Sequence, residues 1–251
     1  MGPAVTPSLP VAETLRFLER ALPPPPARVL EVGCGDGLVA CGLASQGYDV
    51  TALDESLALA PDAPRDAARW IESDFLLYEP PPGAAPFDAV LFTRSLHHIA
   101  SVDHALDRAA AALRPGGRLL AEEFAVDRVT IPTARWWYDL EAVLAAAGIL
   151  PSPDPALAAV GNPLGRWRRE HAHDPPLAGG HAMLSAARDR FETGPAEEAP
   201  YLYRYVAARA AAPGSGVAER IVRQVHEIES RLIRERDIAA AGIRIAGTLT
   251  A

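Results

Sequence analysis

Between Val29 and Gly37 the chain reads Val-Leu-Glu-Val-Gly-Cys-Gly-Asp-Gly, so a carboxylate and three glycines recur at every second position from Glu31. An apolar strand that ends in such a turn and opens a helix at about Asp36 turns backbone N–H groups outward over the carboxyl end of a sheet. Glycine lets a ligand approach that backbone closely, and Glu31 sets a carboxylate beside it. A dinucleotide fingerprint, GxGxxG, needs glycine at 38; Leu38 stands there and speaks against a nicotinamide or flavin cofactor. More acids follow the next apolar runs: Asp54 in Ala52-Leu-Asp-Glu-Ser56, and Asp74 in Ser73-Asp-Phe75. A carboxylate at such a strand end offers a ligand two hydrogen-bond acceptor oxygens. His97 and His98 close the run that begins at Phe87. One of these imidazoles can take the proton shed by an oxygen or nitrogen nucleophile, or it can simply hydrogen-bond the adjacent loop.

Positioning these groups requires a particular order of elements. From Ala27 to Phe124, short β-branched runs alternate with helix-like stretches, the pattern of a parallel sheet with helices on its faces. Strands are expected at Arg28–Val32, Asp49–Leu53, Arg69–Ser73, Phe87–Phe92 and Arg118–Phe124. Helices are expected at about Asp36–Gln46, Leu57–Leu59, Ser95–Ile99 and Val102–Leu113, the last ended by Arg114-Pro-Gly-Gly. An amphipathic helix at about Pro10–Leu22 precedes them and is stopped by Pro23–Pro26. Beyond Phe124 the pattern changes. Helices are expected at Thr130–Ala147, His181–Phe191 and Val217–Arg236, an irregular Pro/Gly-rich segment at Gly148–Gly180, and strands at Tyr201–Ala207 and Gly242–Leu249.

Composition excludes several classes. The chain of 251 residues carries 24 basic and 32 acidic side chains, net −8, and every basic one is arginine, so neither a lysine Schiff base nor a P-loop lysine is available. Its acidic balance argues against nucleic acid as a partner, and Arg166, Arg168 and Arg169 form the one visible basic cluster. No apolar run approaches the roughly 20 residues of a membrane-spanning helix, and the opening stretch through Leu22 lacks the pattern of a signal peptide. Cys34 and Cys41 cannot form a disulfide framework and fit a reducing, cytoplasmic setting. CxxC and HExxH are both absent, so no metal is expected. His171 and His173, beside Asp174, could be metal ligands, but a two-residue step on an irregular loop is more often exposed or locally hydrogen-bonded; they are read as candidates for substrate contact.

Taken in order, Glu31-x-Gly-x-Gly-x-Gly37, Asp54, Ser73-Asp-Phe75, the strand and turn Phe87–Ile99, and Leu113-Arg-Pro-Gly-Gly-Arg-Leu-Leu120 resemble class I S-adenosylmethionine-dependent methyltransferases. The resemblance covers Ala27–Phe124. It implies an α/β fold, a doubly wound, mostly parallel seven-stranded sheet of Rossmann-like type with helical cap insertions. S-adenosyl-L-methionine is the implied cofactor and S-adenosyl-L-homocysteine the product. Carried over residue by residue, it assigns Glu31, Gly33, Cys34, Gly35 and Gly37 to the glycine turn, with Glu31 at the methionine end. It assigns Asp54 and Glu55 to the ribose, Asp74 and Phe75 to the adenine, and Thr93 and Arg94 to the segment where cofactor and substrate meet. The family sheet closes with a sixth strand and an antiparallel seventh; Tyr201–Ala207 and Gly242–Leu249 are expected in those places, with the intervening helix a departure.

A single domain follows: an N-terminal helix and Pro stop at 10–26, a cofactor-binding core at 27–129, a cap at 130–199, and closing strands with an inserted helix at 200–251. In-line methyl transfer depends mainly on positioning and needs no unique catalytic residue. The expected acceptor is a small organic molecule, with Trp136, Trp137 and Tyr138 forming either core or an aromatic wall for it. Two other readings remain: a cyclase using the same cofactor site, and a non-catalytic binding protein that keeps the fold. The stripe at 217, 221, 225, 228 and 232 could pack on the chain's own sheet or on a second copy in a homodimer.

Overall fold

The computed structural model describes residues 7–158 and 161–250. Residues 1–6, the first part of the stretch read for a leader, lie outside the described residues. Helix α1 (Leu9–Ala21) turns Val11, Leu15, Phe17 and Leu18 inward and ends before the prolines. The glycine turn lies between β1 (Arg28–Val32) and α2 (Leu38–Ser45). There follow β2 (Asp49–Asp54), β3 (Arg69–Glu72), β4 (Phe87–Thr93), α3 (Val102–Ala112) and β5 (Leu113–Phe124). Helices α4 (Ile131–Ala146), α5 (Pro155–Ala158), α6 (Pro163–Glu170) and α7 (Gly180–Arg188) come next. The chain closes with β6 (Phe191–Thr193), β7 (Glu197–Ala199), α8 (Tyr203–Arg209), α9 (Gly216–Glu235) and β8 (Gly242–Leu249).

Strands β3-β2-β1-β4-β5 run parallel, and β8 lies antiparallel beside β5. Apolar side chains of α1 and α2 cover one face, centred on Leu18, Val29, Leu43 and Leu91. Those of α3 and α7 cover the other, around Phe92, Leu106, Leu119 and Met183. A third cluster gathers α4, α6, α8 and α9 around Phe124, at the carboxyl end of β5. The stretch 130–199 therefore divides: α4 and α6 join that third cluster, whereas α7, β6 and β7 belong to the sheet and its face. Of the expected stripe on α9 only Val225 is buried, and Val217 and Ile228 are exposed; the face that packs within the chain is instead Ala218, Val222, Val225 and Glu229.

Four expectations are corrected. The run Tyr201–Ala207 is no strand; its main part is α8. Tyr201, just ahead of α8, and Tyr205 within it pack on Phe124 with ring centroids at 4.8 and 6.2 Å. The N–H groups of Tyr201, Leu202 and Tyr203 donate to the buried carboxylate of Glu229 on α9, at 2.7, 2.9 and 2.9 Å. A charge that satisfies the orphan donors of a first turn favours helix there. The sixth-strand place is taken by β6 and β7, both antiparallel to β8. Between Thr193↔Gly247 and Glu197↔Arg244 one strand advances four residues and the other three, so the sheet's eight strands are the expected seven with the sixth broken at a bulge. Leu57–Leu59 is not helical, because Pro61 and Pro64 leave too short a run of backbone donors. Gly148–Gly180 is not wholly irregular, since α5 and α6 lie within it and Asn162 caps α6 by accepting from the Gly165 N–H at 2.6 Å.

Candidate functional site

Parallel order makes β1, β2 and β4 end side by side, and a cavity of about 530 Å³ opens over those ends. The glycine turn forms one wall. The Gly33 and Cys34 N–H groups donate to the Leu53 carbonyl at 2.7 and 3.1 Å, which fixes the turn to the end of β2. Gly33 is at φ +73°, and a Cβ built there would stand 2.3 Å from the Cβ of Ser95. Gly35, at φ +53°, would place a Cβ in open space, so its backbone faces the cavity rather than protein. Gly37 faces Leu59 and Trp70 instead, and Cys34 is buried. Burial, with Glu31 and Asp54 nearby, pushes the Cys34 thiol up to about 12, which keeps it a small unreactive filler.

Acids form the second wall. The Asp54 carboxylate accepts from the Gly35 N–H at 2.8 Å and the Ser56 N–H at 3.1 Å, and Glu55 lines the cavity beside it. Asp74 accepts from the Leu76 N–H at 2.7 Å, and Phe75, edge-on to Phe92, supplies an apolar surface. Glu31 lies fully buried beneath the turn rather than on the cavity. Its Oε1 accepts from the Thr93 hydroxyl at 2.7 Å, and its Oε2 has no partner among the described residues. Burial raises its pKa from 4.5 to about 7. Because the folded value exceeds the unfolded one, the stability that protonated Glu31 contributes is full below about 4.5 and is lost as pH rises through about 7. Melting temperature between pH 5 and 8 is expected to fall more steeply for the wild type than for Glu31→Gln; equal slopes would remove Glu31 as the source.

The turn after β4 closes the cavity. Arg94 takes φ +68°, donates its N–H to the Glu122 carbonyl at 2.8 Å, and reaches the Thr14 hydroxyl of α1 at 3.2 Å. Glu123, fully buried at the end of β5, accepts from the Ser95 and Leu96 N–H groups at 3.1 and 2.9 Å. Its other oxygen meets His97 Nδ1 at 2.5 Å. His97 is thus buried and fixed, and its ring lies tilted against that of His98 at 4.1 Å between centroids. His98 is exposed and lines the cavity; partial burial and the neighbouring His97 hold its pKa below the ordinary value.

The structure therefore brings Gly33, Gly35, Asp54 and Glu55 onto one cavity with Asp74, Phe75, Arg94 and His98. It places Glu31, Thr93 and His97 one layer beneath. Sequence reasoning missed Ser95, Glu122 and Glu123; two adjacent acids at the end of an otherwise apolar strand were the available signal, since buried carboxylates are partnered. The aromatic run lies elsewhere: Trp137 is buried, Tyr138 lies under the Arg166 guanidinium at 3.7 Å, and Trp136 is half-buried. His171 is hydrogen-bonded through both ring nitrogens, to the Trp167 carbonyl at 2.9 Å and the Tyr205 hydroxyl at 3.0 Å. His173 is exposed, 6.4 Å from His98 between ring centroids. Among the described residues no cluster of three His, Cys, Asp or Glu could hold a metal, and no helix is long and apolar enough to cross a membrane.

The sequence model of a methyltransferase domain matches residues 9–147, more than half of the chain. A ubiquinone biosynthesis O-methyltransferase of Xylella fastidiosa is 38% identical over 117 residues, covering 42% of this chain and 45% of that protein. An uncharacterized methyltransferase of Mycobacterium bovis is 40% identical over 100 residues, 38% and 50% of the two chains. The chain thus spans about half the length of the curated relatives it matches. Among solved structures, Haemonchus contortus phosphoethanolamine N-methyltransferase 2 with bound S-adenosyl-L-methionine aligns at TM-score 0.56 and 17% identity, over 96% of this chain and 53% of that one. The [4+2]-cyclase SpnF aligns at TM-score 0.57 and 21% identity, over 96% and 81%. At these identities the likeness is one of fold.

Proposed function

The chain belongs to the methyltransferase-domain family of class I S-adenosylmethionine-dependent enzymes, and from that premise we propose that it methylates a small organic acceptor at the cavity lined by His98. One observation carries the reading: the open backbone of Gly35, the Asp54 carboxylate and an exposed imidazole face the same space. The residues present fit the cofactor. A volume of about 530 Å³ lies in the range of small-molecule sites. Asp54 keeps lone pairs for two ribose hydroxyls after accepting two N–H groups. Asp74 and Phe75 would hold the adenine, Arg94 would face the amino-acid end, and Glu31 would act from beneath the glycine turn.

S-adenosylmethionine supplies a methyl group on a sulfonium and leaves as S-adenosylhomocysteine. The chain's own work is to bind, to orient and to take a proton. His98 does the last: its lowered pKa keeps the ring neutral at pH 7, so it accepts the proton as the acceptor atom bonds to carbon. Glu123 and His97 hold the turn that carries it. The acidic cavity wall and the absence of a basic stripe along it support a small acceptor over a nucleic acid.

Alanine at His98 is expected to lower kcat by roughly 10²- to 10⁴-fold with unchanged affinity for S-adenosylhomocysteine. The wild type should lose activity only as pH falls below the ordinary imidazole range, because burial and His97 hold His98 low, and His98→Ala should not show that limb. An unchanged kcat would remove His98 from the chemistry. Turnover should release one S-adenosylhomocysteine per product. Product without it would indicate a non-methylating reaction at the same site.

A further inference from the structure

A second cavity of about 340 Å³ is lined by Trp137, His171, Tyr205, Arg166 and Arg209, with the exposed Ser152 and Asp154 also on it. Its buried acids are already committed. Glu141 accepts from Arg166 Nη2 at 2.5 Å and Arg209 Nη1 at 2.8 Å, and Glu170 accepts from Arg166 Nε at 2.7 Å and the Tyr138 hydroxyl at 2.6 Å. His171 is neutral in this arrangement: Nδ1 donates to the Trp167 carbonyl, so Nε2 accepts from Tyr205. Donors are what remain uncommitted among the described residues, namely Nε and Nη2 of Arg209 and Nη1 of Arg166. Arg168 and Arg169, exposed in the last turn of α6, have no carboxylate within 4 Å among the described residues. Of the basic cluster only Arg166 lines the cavity. Asp154 also lines it, with one oxygen taken by the Ala156 N–H at 2.8 Å.

We propose that this cavity anchors a flat organic anion, a carboxylate or phosphate monoester on an aromatic ring. Arg209 pairs with the anion, and Trp137, His171 and Tyr205 cover the ring. The rings between this cavity and the first, Phe124 and His97, are buried and packed at 5.8 Å between centroids, so the anion site is separate from the methyl-transfer cavity.

Calorimetric titration of the full chain with phenylacetate, phenyl phosphate, 2-phenylacetamide and inorganic phosphate tests this, each protein also being titrated with S-adenosylhomocysteine. Phenylacetate or phenyl phosphate is expected to bind at least roughly ten-fold tighter than the neutral amide or inorganic phosphate; which of the two prevails identifies the anion. Arg209→Leu should weaken that binding roughly 10- to 100-fold without changing S-adenosylhomocysteine affinity. Ser152→Phe, which leaves the ion pairs alone and puts a ring into the lining, should block it. Equal binding of the amide, no binding of either anion, or unchanged binding in a natively folded Ser152→Phe overturns the proposal.

Discussion

Replacing Glu122 by alanine is expected to lower the melting temperature by roughly 6–20 °C, because removing one partner of a buried ion pair costs about 3–5 kcal/mol and each kcal/mol is worth about 2–4 °C at this chain length. Glu122 lies 3% exposed on β5. It accepts from Arg244 Nε of β8 at 2.8 Å, Arg204 Nη2 of α8 at 2.8 Å and the Thr14 hydroxyl of α1 at 2.5 Å. One carboxylate thus ties four elements together. Burial pushes its pKa up, but Arg204 and Arg244 outweigh that and hold it below the ordinary carboxylate range. Without it the Arg204 guanidinium, 8% exposed, loses its carboxylate partner, and Arg244 keeps only Glu197 at 2.9 Å. Thermal unfolding followed by circular dichroism decides the matter, and a shift below about 2 °C would show that the network contributes little to stability.

The second large effect separates two glycines of one turn. At Gly33 an alanine adds left-handed strain of about 1–2 kcal/mol and overpacking of about 1–3 kcal/mol, because its Cβ would stand 2.3 Å from that of Ser95. Ser95 cannot yield freely: its hydroxyl donates to the Val32 carbonyl and its N–H to Glu123. The two walls of the first cavity are therefore forced apart, and S-adenosylhomocysteine affinity is expected to fall by roughly 100-fold or more along with stability. Gly35→Ala meets no protein atom, so it should cost only the backbone strain in stability while still obstructing the ligand. Equilibrium binding and thermal melts on both variants check the contrast. Wild-type affinity in Gly33→Ala would contradict the packing of the two turns.

How much of this was readable from sequence depends on whether the cause of each feature is local. The strands β1, β2 and β4 carry their own apolar runs and end in the residues that line the cavity, so Gly35, Asp54 and His98 could be placed without a structure. Tyr201–Ala207 could not, because its helical form depends on Glu229, 28 residues away, capping its first turn. Each half of the broken sixth strand is three residues long, too short for a period of two to show. His97 and His98 look equivalent in sequence; only the approach of Glu123 from the neighbouring strand makes one a buried support and leaves the other at the cavity. The contact of Arg94 with Thr14 joins segments 80 residues apart and left no mark on either.

On the methyl-transfer reading, the cavity over the ends of β1, β2 and β4 holds S-adenosylmethionine and its product. Isothermal titration of the wild-type chain with S-adenosylhomocysteine tests it most directly. The predicted result is saturable binding of one molecule per chain; a natively folded protein that gives no binding heat and no thermal stabilisation by the ligand would contradict it.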